Sequence, residues 1–388
     1  PLVTIIEKYP NIETLQIGKN RVNESGVRVI LRAIKNFNVK IETLGFEETN
    51  LTDSGCLIID KLLSNNKTIK NLNISKNLIT EEGFHHIFEG IKRNSLSLQD
   101  LNISGNKINS KLMIKFIKWL ASSETSIITL NIAKTGLESS FGAELQKFLV
   151  GNSCHIKSLD TSYNDLGTSG TKNVIKGIIN NQTITELSLC ANKISSSGCN
   201  DLCQSLELAS ATCSKLYLRH CGLGSSSLVR IANMLELNKT ITTLDLSMNE
   251  FSKSSSSAIG TMLEKNETLQ EFYLADSSLG AREVESILNG LKNNSTIKKI
   301  FLDTNPIGKK GISSLANMLN TNTGLEVITL RHTNLNGKDI LELLKQLSTN
   351  IPIKIINLTE NTLDKITPQI KNAINDQIKR LHTINIQY

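Results

Sequence analysis

Proline is scarce in this chain, at 5 of 388 residues, and tryptophan occurs once. Aromatic residues together make up 4%. That poverty excludes a nucleic-acid surface built from stacked aromatics with interleaved Lys and Arg. No Pro/Gly/Ser-rich stretch marks a linker, and no long charge block marks a tail. No apolar run is long enough to span a bilayer, and no secretory leader pattern opens the chain. The phosphate-binding loop and the Gly-rich dinucleotide fingerprint are missing. Gly308-Lys309-Lys310-Gly311 has the wrong spacing for either and reads as a loop entering a helix. His85-His86 is not a His-Glu-x-x-His zinc pair and reads as an exposed helix face. Seven cysteines, an odd number without paired flanking modules, argue for a reducing compartment. The net charge of +7 is a mild excess over a long surface. It permits peripheral contact with anionic membrane lipid or an acidic protein, and it gives no argument for nucleic acid. These absences point away from an enzyme, a cofactor and a metal site.

What the chain has instead is a period. An apolar residue recurs every 28 or 29 positions, from Leu15, Leu44 and Leu72 through Leu244, Phe272 and Ile300 to Ile356, with a half-repeat at Ile384. Around it each unit reads apolar-x-x-apolar-x-apolar-x-x-Asn-x-apolar, as in Ile69, Leu72, Ile74, Asn77 and Ile79. The pair Leu72 and Ile74 has period two, which marks a short strand. Residues of helical spacing follow in each unit, as in Ile312, Leu315, Ala316 and Leu319. This is a leucine-rich repeat, and the period is that of a solenoid. No unit can bury its own apolar residues, so neighbours must stack and share one core.

The Asn column is occupied by Asn, Thr, Ser or Cys throughout, for example Asn20, Thr49, Asn77, Thr135, Cys221, Asn249, Ser277 and Asn361. The chain leaves the sheet there, and a short polar side chain can bond the freed backbone groups. The column is structural. Parallel strands stack at roughly 4.8 Å, whereas helices need about 10 Å, so the helical side is wider and the sheet curves inward. The expected fold is α/β: a leucine-rich repeat horseshoe of about 13 repeats, with a parallel concave sheet and convex helices. Residues 1–388 are expected to form one such domain. The chain starts at Pro1, without Met, and is expected to be a piece of a longer polypeptide. Cys199, Cys203, Cys213 and Cys221 fall within 23 residues, but their repeat positions place them in separate layers. They read as small core fillers and not as zinc ligands. Sequons such as those at Asn73, Asn102 and Asn357 lie on expected strands and read as chance matches. Trp119 reads as core or convex surface.

The open face carries the functional signal. The position after the strand Leu is small or polar in the first seven repeats, from Gln16 and Gly45 to Asp160 and Ser188. It then becomes Tyr217, Asp245, Tyr273, Phe301 and Thr329. Two residues further on, the later repeats carry Arg219, Asp303 and Arg331, and the next column holds His220, Met248, Asp276 and His332. Four of the five tyrosines, Tyr163, Tyr217, Tyr273 and Tyr388, fall on or beside this face. Tyr, Phe and Arg are enriched at the centres of interfaces. A Phe301 with no core to join asks for a partner. The expected site is therefore a protein-binding patch of Tyr217, Arg219, Asp245, Tyr273, Phe301, Asp303 and Arg331. The bland alternative is that the aromatics merely cover the sheet, with Arg219 paired to Asp245 and Arg331 to Asp303 across strands.

The repeat length and the helix in every unit resemble the ribonuclease-inhibitor-like class of leucine-rich repeats. Leu274-Ala275-Asp276-Ser277-Ser278-Leu279, Ile287-Leu288-Asn289-Gly290-Leu291 and Asn294-Ser295-Thr296 are similar to a late repeat of the CARMIL family of actin regulators. Leu101-Asn102-Ile103-Ser104-Gly105-Asn106 and Ala133-Lys134-Thr135 resemble its middle repeats. The resemblance implies a cytoplasmic, non-enzymatic scaffold in actin or small-GTPase signalling, at the plasma membrane or cell cortex. The family's lipid-binding and capping-protein-binding segments have no counterpart in this sequence. Two alternatives stay open: a Ran-type GTPase-activating protein, and a one-to-one inhibitor that covers an enzyme's active site.

Overall fold

A computed structural model describes residues 2–388, apart from residues 10, 21, 23, 38, 180, 209–210 and 363–366. The chain divides into two compact units, Pro1–Asn192 and Lys193–Tyr388. The first contains α1 (Leu2–Lys8), β1 (Thr14–Gln16), α2 (Glu24–Asn36), β2 (Thr43–Gly45), α3 (Asp53–Asn65), β3 (Asn71–Asn73), α4 (Glu81–Arg93), β4 (Asp100–Asn102), α5 (Ser110–Ser122), β5 (Thr129–Asn131), α6 (Ser139–Val150), β6 (Ser158–Asp160), α7 (Gly167–Ile179) and β7 (Glu186–Ser188). The second contains α8 (Ser196–Glu207), β8 (Lys215–Tyr217), α9 (Ser225–Leu235), β9 (Thr243–Asp245), α10 (Lys253–Lys265), β10 (Glu271–Tyr273), α11 (Ala281–Leu291), β11 (Lys299–Phe301), α12 (Ile312–Thr321), β12 (Val327–Thr329), α13 (Gly337–Gln346), β13 (Ile355–Asn357), α14 (Pro368–Arg380) and β14 (Asn385–Gln387).

In each unit the strands pair in parallel and in chain order, with the repeat leucines in register: Leu15 with Leu44 and Leu72 with Leu101 in the first, Leu216 with Leu244 and Phe272 with Ile300 in the second. The central residue of a strand is buried and its two neighbours are partly exposed, so one sheet face is covered and the other open. The last repeat departs from the expected period. Ile356 pairs with Ile386, not with Ile384. The turn after α14 buries Leu381 and takes up two more residues before β14 begins.

One repeat shows why these residues build strand, turn and helix. Ile241, Leu244 and Leu246 are fully buried on the covered face. At the entry of α10, the Ser255 hydroxyl accepts from the Ser252 amide, a reciprocal cap for otherwise orphaned donors. Ile259, Met262 and Leu263 then recur at helical spacing and are fully buried. α13 starts the same way, with Asn336 and Asp339 bonding each other's backbone amides.

The asparagine column ties each repeat to the one before it. The Asn249 carboxamide oxygen accepts from the Cys221 and Leu223 amides at 3.2 and 3.0 Å, and its NH2 donates to the Leu218 and Leu246 carbonyls. Asn77, Asn164, Asn305 and Asn361 repeat the arrangement. Thr at this column cannot reach back. Thr49, Thr135 and Thr333 donate to the carbonyl three residues earlier in their own turn, with a longer second contact forward to the Asn oxygen of the next repeat. The backbone records the difference. After Thr49, Thr135, Cys221, Ser277 and Thr333 the next residue is left-handed: Asn50, Gly136, Gly222, Ser278 and Asn334.

A second asparagine column closes the other end of the repeat, where helix returns to strand. Asn181, Asn238, Asn266, Asn294 and Asn322 are buried. Each accepts from amides two and three residues ahead and donates to a helix carbonyl of the preceding repeat. Asn294 accepts from Thr296 and Ile297 and donates to Leu263 at 2.7 Å. Four of these asparagines, Asn181, Asn238, Asn266 and Asn294, stand in Asn-x-Thr sequons, and burial makes them poor glycosylation acceptors. Asn73, Asn102 and Asn357 use their carboxamide oxygens on the amide and hydroxyl two residues on.

Glycine sets the closest helix contacts. A Cβ at Gly290 in α11 would lie 2.1 Å from the Gly260 carbonyl oxygen of α10. Two predictions follow from this packing. Asn249→Ala removes the side-chain partner of two amides and three carbonyls in a buried turn and should lower unfolding stability by about 3 kcal/mol. Ser277→Ala, which removes one hydroxyl bond to the Ala275 carbonyl, should lower it by less than about 1.5 kcal/mol. Urea unfolding of the two variants compares them directly, and equal losses would refute the ladder's role. Gly290→Ala should cost about 1–3 kcal/mol by overpacking, read as a lower melting temperature.

Candidate protein-binding surface

Parallel register lines up the residue after each central strand position. In the second unit Tyr217, Asp245, Tyr273 and Phe301 are successive Cα partners, so the sheet sets them in one row on its open face. Thr329 follows in the same row. Arg219, Asp303 and Arg331 lie two residues further along their strands, in a second row on the same side. All seven expected contact residues are half-buried.

Phe301 is not isolated as the sequence suggested. Its ring stacks on that of Tyr273 with centroids 4.1 Å apart and planes 1° apart. Adjacent parallel strands bring the two side chains to stacking distance, and the pair buries area that neither ring could bury alone. The Tyr273 hydroxyl donates to Glu271 Oε2 at 3.3 Å, and the other Glu271 oxygen accepts from Lys299 at 2.7 Å. Burial first, then the Glu271 carboxylate, push the Tyr273 phenol up to about 12, with smaller contributions from Tyr217 and Asp245.

The charges pair differently from the cross-strand alternative. Arg331 turns its guanidinium to Glu360, and His332 Nε2 sits 3.7 Å from the same carboxylate. Asp303 Oδ1 instead accepts from the Arg331 backbone amide at 2.8 Å. Asp245 Oδ1 accepts from the Ser247 amide at 2.8 Å. Arg219 forms no ion pair among the described residues. The column of His220, Met248, Asp276 and His332 occupies left-handed backbone, with φ between 52° and 57°. That geometry ends the strand, and three of these four side chains are exposed at its rim. Tyr388 leaves the row, because its hydroxyl bonds Asn375 of α14.

The first unit presents a different face. Asn131 and Asp160 bond the amides of Ala133 and Ser162, and an open hollow of about 630 Å³ lies over them. Small residues form its floor, and Lys76, Lys134 and the exposed Tyr163 stand around it. This hollow was not foreseen, although the column of Ser104, Ala133 and Ser162 hinted at it. On the helical side of this unit, Trp119 is half-buried against Phe88 and Phe116, beside a hollow of about 380 Å³ bordered by Lys92, Lys115 and Lys118.

All seven cysteines are buried as thiols. Burial pushes the Cys56 thiol up, and the hydrogen bond with Cys199, followed by burial, does the same for Cys203. No group of three or more His, Cys, Asp or Glu among the described residues could hold a metal ion. His85 is exposed on α4, as expected, and Gly308 precedes a short 3-10 turn, Lys309–Gly311, that leads into α12. No helix among the described residues is long and apolar enough to cross a membrane.

The Tyr273 phenol gives a titration test. Its folded value lies above the ordinary 10, so its protonated form stabilises the fold. That contribution is complete below pH 10 and is lost as pH rises towards 12. Alkaline difference spectroscopy should show one tyrosine ionising late, and Tyr273→Phe should delete that late phase. If the variant keeps the late phase, the assignment is wrong.

Among known families, the one described as Leucine Rich repeat matches residues 237–260. Ribonuclease inhibitor of Sus scrofa is 24% identical over 66% of this chain and 43% of its own length. NACHT, LRR and PYD domains-containing protein 4C of Mus musculus is 28% identical over 24% of this chain and 9% of its own length. The chain thus spans less than half the length of these relatives. Among solved structures, a chain of the yeast Rad7 and Elc1 complex superposes with a TM-score of 0.54 at 14% identity, covering 89% of this chain and 86% of that one. The chain has the leucine-rich repeat fold, and it resembles the ribonuclease-inhibitor-like families.

Proposed function

We propose that this chain is a non-catalytic interaction module, a single repeat domain over residues 1–388, that binds a protein partner on the open sheet face of its second unit. The contact residues are Tyr217, Arg219, Asp245, Tyr273, Phe301, Asp303 and Arg331. One observation carries the reading: a coplanar Tyr273–Phe301 stack stands on a sheet face that no helix of its repeats covers. Flat, preordered aromatics lose little side-chain entropy on binding and offer large contact area. Carboxylates and arginines in the neighbouring positions then supply orientation and partner choice.

The finer reading places the partner among cytoskeletal or small-GTPase signalling proteins, in the cytoplasm at the cell cortex. Its support is the similarity of residues 274–279 and 287–291 to a CARMIL repeat. A second reading, a one-to-one inhibitor of an enzyme, is supported by the longer similarity to ribonuclease inhibitor.

Affinity capture from lysate, compared between the wild type and the Tyr217→Ala, Tyr273→Ala, Arg331→Ala triple variant, tests the surface. Trp119→Ala, on the helical side, serves as the control. Retained partner should fall at least tenfold in the triple variant and stay unchanged in the control. Partners held equally by wild type and triple variant would move the site away from this face. Cytoskeletal or GTPase partners support the finer reading, and a single enzyme inhibited at one to one supports the second.

A further inference from the structure

The row on the second unit has a gap with a defined pitch. Tyr273 and Phe301 sit on adjacent strands with rings face to face at 4.1 Å. On the other side of Tyr273 the next strand carries no ring. It carries Asp245, and the strand beyond carries Tyr217. Tyr217 and Tyr273 are therefore two strand intervals apart. Two strand intervals are about 9.5 Å, and rings that lean together as Tyr273 and Phe301 do would narrow that towards the width one planar group fills between two aromatic faces.

The floor of that gap is charged. Asp245 gives Oδ1 to the Ser247 amide at 2.8 Å. The nearby arginine of the second row, Arg219, forms no ion pair among the described residues, so no arginine of this face neutralises the carboxylate. Glu271 lies at the base of the same ring but already holds Lys299. Asp303 and the exposed Asp276 add negative charge along the row. Asp245 is the Cα partner of both Tyr217 and Tyr273, so the three side chains stand side by side in one row.

We propose that Tyr217, Asp245 and Tyr273 form a slot for the guanidinium of an arginine side chain from the partner. This rests on the reading of this face as a partner surface. A guanidinium is planar, stacks on aromatic faces and offers paired donors to a carboxylate. The ammonium of lysine is a compact, strongly hydrated charge that cannot fill a flat gap between two rings. A neutral planar group would fill the gap but leave Asp245 desolvated without a counter-charge. An anionic group would meet the carboxylate directly.

The test uses the full chain with ring-labelled tyrosine and three capped tripeptides, acetyl-Gly-X-Gly-amide, with X as arginine, lysine or citrulline. The arginine peptide should move the ring resonances of Tyr217 and Tyr273 and saturate at a concentration at least tenfold lower than the other two. Asp245→Asn keeps an oxygen for the Ser247 amide and removes the charge. It should weaken arginine binding at least tenfold while the Tyr273 ring resonances of the free protein stay in place. Tyr217→Leu should weaken it at least fivefold. Equal response to all three peptides, or shifts confined to Tyr163 on the other unit, would overturn the slot. The outcomes separate from those of the surface itself. Partner lost from the triple variant with no arginine preference refutes the slot and leaves the surface standing. Arginine binding with no partner lost supports the slot and refutes the surface as the capture site.

Discussion

Every feature of this molecule depends on satisfying backbone groups that are buried in its turns. A short repeat must leave the sheet, enter a helix and return, and each reversal strips amides and carbonyls of their ladder partners. The repeat has too few side chains to serve both reversals from within. The next repeat does it instead: the carboxamide of Asn249 serves five backbone groups, two of them amides of the turn before it. Asn294 does the same work at the opposite end. An amide side chain has an acceptor and two donors on one rigid plane, which a hydroxyl lacks. The period is thus fixed by hydrogen bonding as much as by the leucine core.

The open face inherits its geometry from this constraint. Once the ladders fix strand register, each residue after the central strand position falls into one row, whatever its chemistry. The turn also fixes a left-handed residue at the end of each strand. That position holds Lys76, Tyr163, His220 and Met248, with φ near 55°. A non-glycine residue there costs about 1 kcal/mol or more. The strain is tolerated because both the strand before it and the turn after it are over-determined, and the side chain is directed to the rim.

Much of this is legible in the sequence, because periodicity survives translation into structure. The leucine column and the first asparagine column stand where spacing places them. The second asparagine column was written just as plainly, as Asn-x-Thr followed by Ile or Leu, but its meaning depends on carbonyls one repeat away. Asn294-Ser295-Thr296, part of the family resemblance, belongs to that column, so its similarity reports a shared turn. The end of the chain misled for a related reason: Ile384 and Ile386 are both apolar, and only the pairing of Ile356 with Ile386 selects between them. Side-chain pairing within the site was not legible at all. Whether Arg331 takes Asp303 or Glu360 depends on rotamers, and Asp303 is committed to the Arg331 amide.

The two faces of the same scaffold show where a local rule is relaxed. In the first unit Asn73, Asn102, Asn131 and Asp160 each cap the amide two residues on, an economical use of an open sheet position. Tyr273 and Phe301 cannot perform that cap. The amide of Ala275, two residues past Tyr273, is served instead by the Ser247 hydroxyl from the preceding repeat, and the amide of Arg331, two residues past Thr329, by Asp303. The scaffold therefore replaces a self-contained cap with a borrowed one to hold the Tyr273 ring on a face where it buries only part of its area. Stability alone gives no reason for the exchange, since Asn at these positions closes the turn without help. Departures of this kind, locally costly and structurally compensated, belong to places where a protein meets its ligand, and the one at Tyr273 lies on the strand next to Asp245.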